Sequence, residues 1–221
     1  MRHLLQPAVL KWAVIAAAAS AVASYPRLSF WQDRPVPVWY LEAIIFLCSI
    51  VLWGFVFAWH AQYTNRPVFI LHLELGPFIA ITLIGLILAM TYHLFLDSSL
   101  RELVPEEYPA HFDQWFALLL FSMAFNQLFL LFAPFAWLMR LTRNRWVAAS
   151  LTALFGACLL AIKILELHTH ISPQFWAALL AARIVMGLLA VFFYLRGGVL
   201  FIWWLTFLFQ ARLLPDLAGN F

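Results

Sequence analysis

Stretches of about 20 apolar residues recur along this 221-residue chain, and they constrain its fold more than any other feature. A helix needs about 20 such residues to cross the hydrocarbon core of a membrane, whereas a strand of a membrane barrel needs roughly 10 residues of alternating hydrophobicity. Charged residues make up only 10% of the chain, against about 25% in soluble domains. The sequence therefore predicts an all-α, polytopic transmembrane bundle, with residues 1–221 forming one integral membrane domain.

Seven spans are predicted, separated by short polar segments. They cover residues 1–24, 38–59, 68–95, 115–138, 146–165, 175–195 and 199–214. The first imitates a signal peptide with a small-residue cleavage site, and we interpret it as a retained span, with cleavage as the alternative. Gly76-Pro77 predicts a kink in the third span, and Gly197-Gly198 predicts a reversal of the chain between the last two. Residues 97–113 are interpreted as a surface loop.

The basic residues predict the orientation of these spans, because loops on the cytoplasmic side of a membrane are enriched in arginine and lysine. Seven basic residues fall on one side of the predicted topology and four on the other. The first group comprises Arg2, Lys11, Arg66, Arg140, Arg143, Arg145 and Arg196, and the second comprises Arg27, Arg34, Arg101 and Arg212. We therefore expect a bacterial inner-membrane protein with its N-terminus inside and its C-terminus outside. The same bias explains the net charge of +3, so no nucleic-acid partner is expected.

Two adjacent amides, Asn126 and Gln127, interrupt the fourth predicted span near its middle. An unpaired amide in hydrocarbon is unfavourable by several kcal/mol, so two side by side require partners. One interpretation is that they join neighbouring helices through hydrogen bonds. The other is that they line a vestigial or ligand-binding pocket, because polar residues inside a membrane often mark functional sites.

Residues 187–200 read GLLAVFFYLRGGVL, which is similar to the turn G-L-x-x-G-x-L-Y-x-R-T-G-S-L of a family of intramembrane metalloproteases. This is the CAAX prenyl protease and bacteriocin-processing (CPBP) family, and the order of features from the fourth span onward also resembles it. The resemblance implies a CPBP-like core over residues 66–211, preceded by N-terminal spans in residues 1–65. In that family, glutamates and histidines hold a metal that activates water for peptide hydrolysis.

The positions that match the catalytic motifs of the family carry other residues in this chain. The Glu-Glu pair and its arginine fall on Asn126, Gln127 and Leu131. The Phe-x-x-x-His motif falls on Phe155 and Leu159. The final motif, His followed by Asn or Asp, falls on Phe207 and Ala211. Amides remove the negative charge that a cation needs, and leucine and phenylalanine cannot ligate a metal. The resemblance thus implies a catalytically inactive member for which no cofactor is expected.

Three charged side chains lie inside the predicted spans and need an explanation. Glu42 and Glu74 fall about one turn inside the second and third spans, where we expect each to pair with a buried base or to reach the interface. Arg183 falls well inside the sixth span, where an uncompensated cation is unfavourable. We expect an acidic or amide partner for it, and the candidates are Glu42 and the Asn126-Gln127 pair.

Histidines on the predicted outer side support a rival interpretation. The spacing His168-x-His170 occurs in some metal sites, so a zinc or haem site at that face is an alternative. Its candidate ligands are His93, Glu166, His168 and His170.

Three functions are compatible with the sequence. The first is an inactive CPBP-like protein that acts by binding, either to another membrane subunit in a complex or to a hydrophobic ligand. The second is an intramembrane metallopeptidase with a rearranged site. The third is a cofactor-bearing subunit of an electron-transfer complex. In each case the lipid bilayer surrounds the chain.

Overall fold

A computed structural model describes residues 4–31, 35–70, 74–166 and 172–218, which form a helical bundle. Its helices are α1 (Pro7–Phe30), α2 (Val38–Thr64), α3 (Leu75–Phe95), α4 (Asp97–Leu103), α5 (Phe112–Thr142), α6 (Arg145–Glu166), α7 (Pro173–Ala211) and α8 (Leu214–Ala218). Six of these, all except α4 and α8, are long and apolar enough to span a membrane. The predicted all-α polytopic bundle is confirmed.

Helix α7 is interrupted at Gly198, which divides it into a first arm, residues 173–197, and a second arm, residues 199–211. Gly198 has φ 64° and ψ −155°, a backbone conformation outside the helical region. Arg183 and Arg212 would stand about 44 Å apart on a continuous helix, yet both line the same cavity. The chain therefore reverses at Gly198, as the Gly197-Gly198 pair predicted, and the two arms account for the sixth and seventh predicted spans.

The third span starts later than predicted, because Val68 and Phe69 are not helical and instead contact the reversal in α7. The amide N–H of Val199 donates to the carbonyl oxygen of Val68 at 3.1 Å, and Phe69 forms an isolated bridge with Gly198. Helix α3 begins only at Leu75, so Pro77 lies in its first turn, where the missing N–H of proline is tolerated. The predicted kink at this proline is therefore wrong, and the contacts of Val68 and Phe69 instead stabilise the reversal in α7.

A face of small residues on α1 packs against the rest of the bundle. Its buried members are Ala13, Ala17, Ser20, Ala21, Ser24 and Leu28, and small side chains of this kind let helices approach closely. The indole N–H of Trp53 on α2 donates to the hydroxyl oxygen of Ser20 at 3.0 Å. Helix α1 also continues through Pro26 to Phe30, beyond the predicted end at residue 24. The first span is thus an integral part of the bundle.

At one end of the bundle, the predicted surface loop is partly helical and packs against the C-terminal residues. It contains α4 and a 3-10 turn at Pro105–Glu107. Trp115, Leu213 and Leu217 form a buried cluster there, and Arg101 pairs with Asp216 on α8. Since the predicted topology places this end outside, we call it the outer end. The loop covers one end of a cavity inside the bundle.

Candidate binding cavity

A cavity of about 460 Å³ lies between α5, α6 and the two arms of α7. Most of its lining side chains are apolar. The polar ones are four charged residues near the outer end and along α7, together with amides and hydroxyls on three helices. They are Glu107, Lys163, Arg183 and Arg212, with Ser122, Asn126, Gln127, Thr152, Thr206 and Gln210; the phenols of Tyr92 and Tyr108 also line the cavity.

Helix α5 presents its amides from an irregular stretch. The backbone is π-helical at Ser122–Asn126 and again at Leu128–Phe132, and Gln127 lies between the two segments. Such π-bulges widen a helix locally and are frequent at functional sites. Asn126 and Gln127 both line the cavity, so the structure brings the predicted amide pair to its wall.

Two amide–hydroxyl hydrogen bonds join α5 to the second arm of α7. The side-chain amide of Gln127 donates to the hydroxyl oxygen of Thr206 at 3.0 Å, and the amide of Gln210 donates to the hydroxyl oxygen of Ser122 at 3.3 Å. Thr206 in turn donates to the carbonyl of Ile202 at 2.8 Å. The expected interhelical role is therefore realised by Gln127. Among the described residues, the side chain of Asn126 has no hydrogen-bond partner.

Thr206 and Gln210 were not predicted as site residues, although their four-residue spacing places them on one face of a helix. The predicted motif positions in this arm were Phe207 and Ala211, and neither lines the cavity. Phe207 instead stacks on Trp204 in a separate shallow groove, with ring centroids 5.4 Å apart. The cavity-lining residues of this arm thus each lie one position before the assigned motif positions. A search for polar residues at helical spacing in the last span would have found the correct face.

The other matched motif positions divide between the cavity wall and the bundle exterior. Leu131 and Leu159 line the cavity. Phe155 lies outside it and packs edge-on against Phe129, with ring centroids 5.9 Å apart. The cavity therefore has aliphatic side chains at two of the places where the resemblance would put charged or ligating groups.

Arg183 lies on the first arm of α7 and points toward α6. Its Nε donates to the carbonyl oxygen of Gly156 at 3.5 Å, a long and weak contact. The contact is close, because a Cβ at position 156 would stand 3.3 Å from Nε and 3.4 Å from Nη2. Among the described residues, this hydrogen bond is to a backbone carbonyl and not to Glu42 or the Asn126-Gln127 pair, while the carboxylate of Glu107 interacts with Arg183 electrostatically from beyond ion-pair distance.

Neither of the two glutamates predicted inside the membrane, Glu42 and Glu74, lines the cavity. Glu42 is half-buried on α2. Glu74 is exposed and immediately precedes the first turn of α3, so its predicted place inside the third span is wrong. The cause is the later start of α3.

Charged pairs surround the outer end of the cavity. Lys163 contacts the carboxylate of Glu107. Arg212 donates from Nε to a carboxylate oxygen of Asp97 at 3.1 Å, and the phenol of Tyr108 donates to the same carboxylate at 2.8 Å. Burial, and then the hydrogen bond to Asp97, raise the pKa of Tyr108, so the phenol remains a donor at neutral pH.

Two of the four candidate ligands of the rival metal site, His93 and Glu166, lie among the described residues. Nδ1 of His93 lies 3.4 Å from a carboxylate oxygen of Asp97, and His93 does not line the cavity. Glu166 lies at the exposed end of α6. His168 and His170 lie outside the described residues. Within the described part of the chain, no three histidine, cysteine or acidic side chains are grouped as a metal site would require.

Comparison of the chain with models of known protein families, with curated protein sequences and with solved structures returned no match. The chemistry of the cavity must therefore be inferred from its own residues. They provide hydrogen-bond donors, one weakly bonded guanidinium and a long apolar wall. That combination suits an elongated ligand with one polar end.

Proposed function

We propose that this chain is a catalytically inactive, CPBP-like membrane protein that binds a hydrophobic ligand with a single acyl-type chain. The observation that carries the proposal is the cavity itself. Its volume of about 460 Å³ falls within the roughly 300–1,000 Å³ of small-molecule sites, and its lining is mainly apolar with a few convergent polar groups.

The hydrogen bonds in the cavity favour binding over hydrolysis. A nucleophilic serine or threonine needs an adjacent general base. The hydroxyl of Thr206 instead donates to a backbone carbonyl, and that of Ser122 accepts from Gln210. No histidine is found among the described residues that line the cavity. The alternatives, a rearranged metallopeptidase and a cofactor-bearing electron-transfer subunit, draw no comparable support from any described contact.

The distribution of arginines supports an inner-membrane location in a bacterium, with the N-terminus in the cytoplasm. Arg66 bonds to the carbonyl of Leu195, and the guanidinium of Arg140 lies 4.4 Å from the ring centroid of Trp59. These cations therefore gather at the end of the bundle opposite the Asp97–Arg212 pair. Large apolar side chains exposed on α3 would face lipid or a second membrane subunit; they include Leu83, Ile87 and Met90.

Filling the cavity is expected to abolish binding. The substitution Leu159→Trp adds volume at a lining position, and we expect saturable binding of a single-chain amphiphile to fall at least about tenfold. The measurement is scintillation-proximity binding of a tritiated fatty acid and of a tritiated monoacylglycerol to protein in phosphatidylcholine nanodiscs.

Leu154→Trp is the matched control for this experiment, because Leu154 lies on the same helix but is exposed on its outer face. It should bind as the unsubstituted protein does. Absence of saturable binding of either probe would refute the proposed function. Equal binding by both variants would place the ligand elsewhere.

Restoring two glutamates tests the loss of catalysis. The double variant Asn126→Glu, Gln127→Glu is expected to be less stable by about 2 kcal/mol or more and to gain no peptidase activity. A carboxylate at position 127 would meet the oxygen of Thr206, whose proton is already donated to Ile202. Unfolding in mixed micelles and cleavage of a prenylated peptide are the two measurements.

Gln62→Glu, on the exposed end of α2, controls for the change of charge. It should leave stability within about 0.5 kcal/mol of the unsubstituted protein. Peptide cleavage by the double variant, or by the unsubstituted protein, would overturn the assignment as an inactive protein.

A further inference from the structure

Arg183 is the cation that lines the cavity, among the described residues, with no carboxylate within ion-pair distance. We propose that it binds the anionic headgroup, a carboxylate or a phosphate, of a single-chain amphiphile whose chain lies along the apolar wall. This inference rests on the proposed function and adds the chemical class of the ligand.

The charges around the cavity single out this arginine. Three cations line it, and two have a carboxylate within ion-pair distance: Lys163 with Glu107, and Arg212 with Asp97. For Arg183 the described residues supply one hydrogen-bond acceptor, the carbonyl of Gly156 at 3.5 Å, and Glu107 interacts with it only electrostatically, from beyond ion-pair distance. A cation inside a membrane-spanning segment is unfavourable unless it is paired or faces a polar cavity. A bound anion would supply the missing partner.

The guanidinium is held in place by its surroundings rather than by ionic contacts. It rests against the backbone of α6 at Gly156. A Cβ added at that glycine would stand 3.3 Å from Nε of Arg183. The same two helices approach closely one turn further along α7, where a Cβ at Gly187 would stand 3.0 Å from the Cα of Ala153. Within the described residues, Nη1 and Nη2 have no hydrogen-bond acceptor. A planar guanidinium with free terminal donors matches the paired oxygens of a carboxylate or phosphate.

The remainder of the cavity suits an amphiphile better than a free anion. Asn126 also lines the cavity, and its side-chain amide has no hydrogen-bond partner among the described residues. It can therefore supply another donor to the headgroup. Most other lining residues are aliphatic; they include Leu130, Leu159, Leu160, Leu179 and Met186. An apolar wall of this kind adds affinity in proportion to the apolar surface that it removes from water.

The test compares ligands that share a chain and differ in headgroup. A fatty acid, a lysophosphatidate and a monoacylglycerol are titrated by scintillation proximity into the protein in phosphatidylcholine nanodiscs. We expect at least one anion to bind about ten- to a hundredfold more tightly than the monoacylglycerol, as a charge-assisted hydrogen bond predicts. The tighter of the two anions identifies the headgroup.

Arg183→Gln should reduce the affinity for the anion to that for the monoacylglycerol, and leave the latter unchanged. Arg196→Gln is the matched control, because Arg196 lies on the same arm, is exposed, and does not line the cavity. It should preserve the preference for the anion. If the glutamine variant fails to fold, Arg183→Lys is used, which should keep part of the preference because the charge remains and the fork is lost.

The outcomes separate this inference from the proposed function. Equal affinity for charged and neutral amphiphiles would overturn the inference and leave the proposed function standing. No saturable binding of any amphiphile would overturn both. Inorganic phosphate or acetate binding as tightly as the matching amphiphile would show that the site takes a free anion, which also overturns the inference.

Discussion

Gly198→Ala is expected to destabilise the folded protein by about 3 kcal/mol or more. The backbone conformation of Gly198, with φ 64° and ψ −155°, is one that residues with a Cβ rarely adopt. A Cβ there would also stand 2.5 Å from the carbonyl oxygen of Val68 and 3.2 Å from the amide nitrogen of Ile70. These are backbone atoms, so they cannot move aside as a flexible side chain would. Equilibrium unfolding in mixed micelles measures the change.

Gly76→Ala provides the control for this prediction. Gly76 lies in the first turn of α3, and no atom lies within 4 Å of the position that its Cβ would take. Alanine there should be neutral or stabilising by about 0.4–1 kcal/mol, because it restricts the unfolded chain. If the two variants unfolded alike, the reversal at Gly198 would not have the geometry described. The Gly198 variant should also lose ligand binding, since the reversal places both arms of α7 on the cavity.

Asp97→Asn is expected to destabilise the protein by about 3 kcal/mol. Asp97 is 4% exposed and its carboxylate accepts hydrogen bonds from Arg212 and Tyr108. Asparagine keeps the shape of the side chain and one acceptor oxygen but removes the charge. The largely buried guanidinium of Arg212 would then lack its counter-charge, and an uncompensated buried charge is the main reason why breaking such a pair is unfavourable.

Asp216→Asn is the matched control, because it removes the same charge from an exposed pair. The side chains of Asp216 and Arg101 are 30% and 50% exposed. Solvent screens such pairs, so a loss of less than about 1 kcal/mol is expected. Combining Asp97→Asn with Arg212→Met should recover part of the lost stability, since both buried charges are then absent. Equal effects of the two single aspartate variants would contradict the structural role of Asp97.

The sequence predicted the fold class because membrane insertion leaves few alternatives. Backbone groups in hydrocarbon must be satisfied within the chain, so long apolar runs read directly as spanning helices. The all-α class and the reversal at the paired glycines agreed with the structure for this reason. The boundaries were less predictable. The start of α3 depends on Val68 pairing with Val199, a contact between segments 131 residues apart that local sequence does not encode.

The candidate site was predictable in part. Asn126 and Gln127 were identified because adjacent amides are conspicuous in an apolar run, and both line the cavity. The partners of Gln127 and of Arg183 were not identified, because they are set by how helices rotate against one another. A rotation by one residue, about 100° on a helix, separates Phe207 from Thr206, and only packing decides which one faces inward. The resemblance to CPBP proteases suggested Phe207, and the structure places Thr206 there.

The amino-acid sequence by itself thus determined that this chain is a bundle of membrane-spanning helices with two amides at mid-span and a reversal near Gly198. Those properties follow from runs of apolar residues and from the conformational range of glycine, and both can be read from short stretches of sequence. Only the tertiary structure decided that Arg183 lies against Gly156 with no acceptor for its terminal nitrogens among the described residues, and that Asp97 is the buried partner of Arg212. Such facts depend on the relative rotation and depth of helices that are distant in the chain, and packing alone sets both.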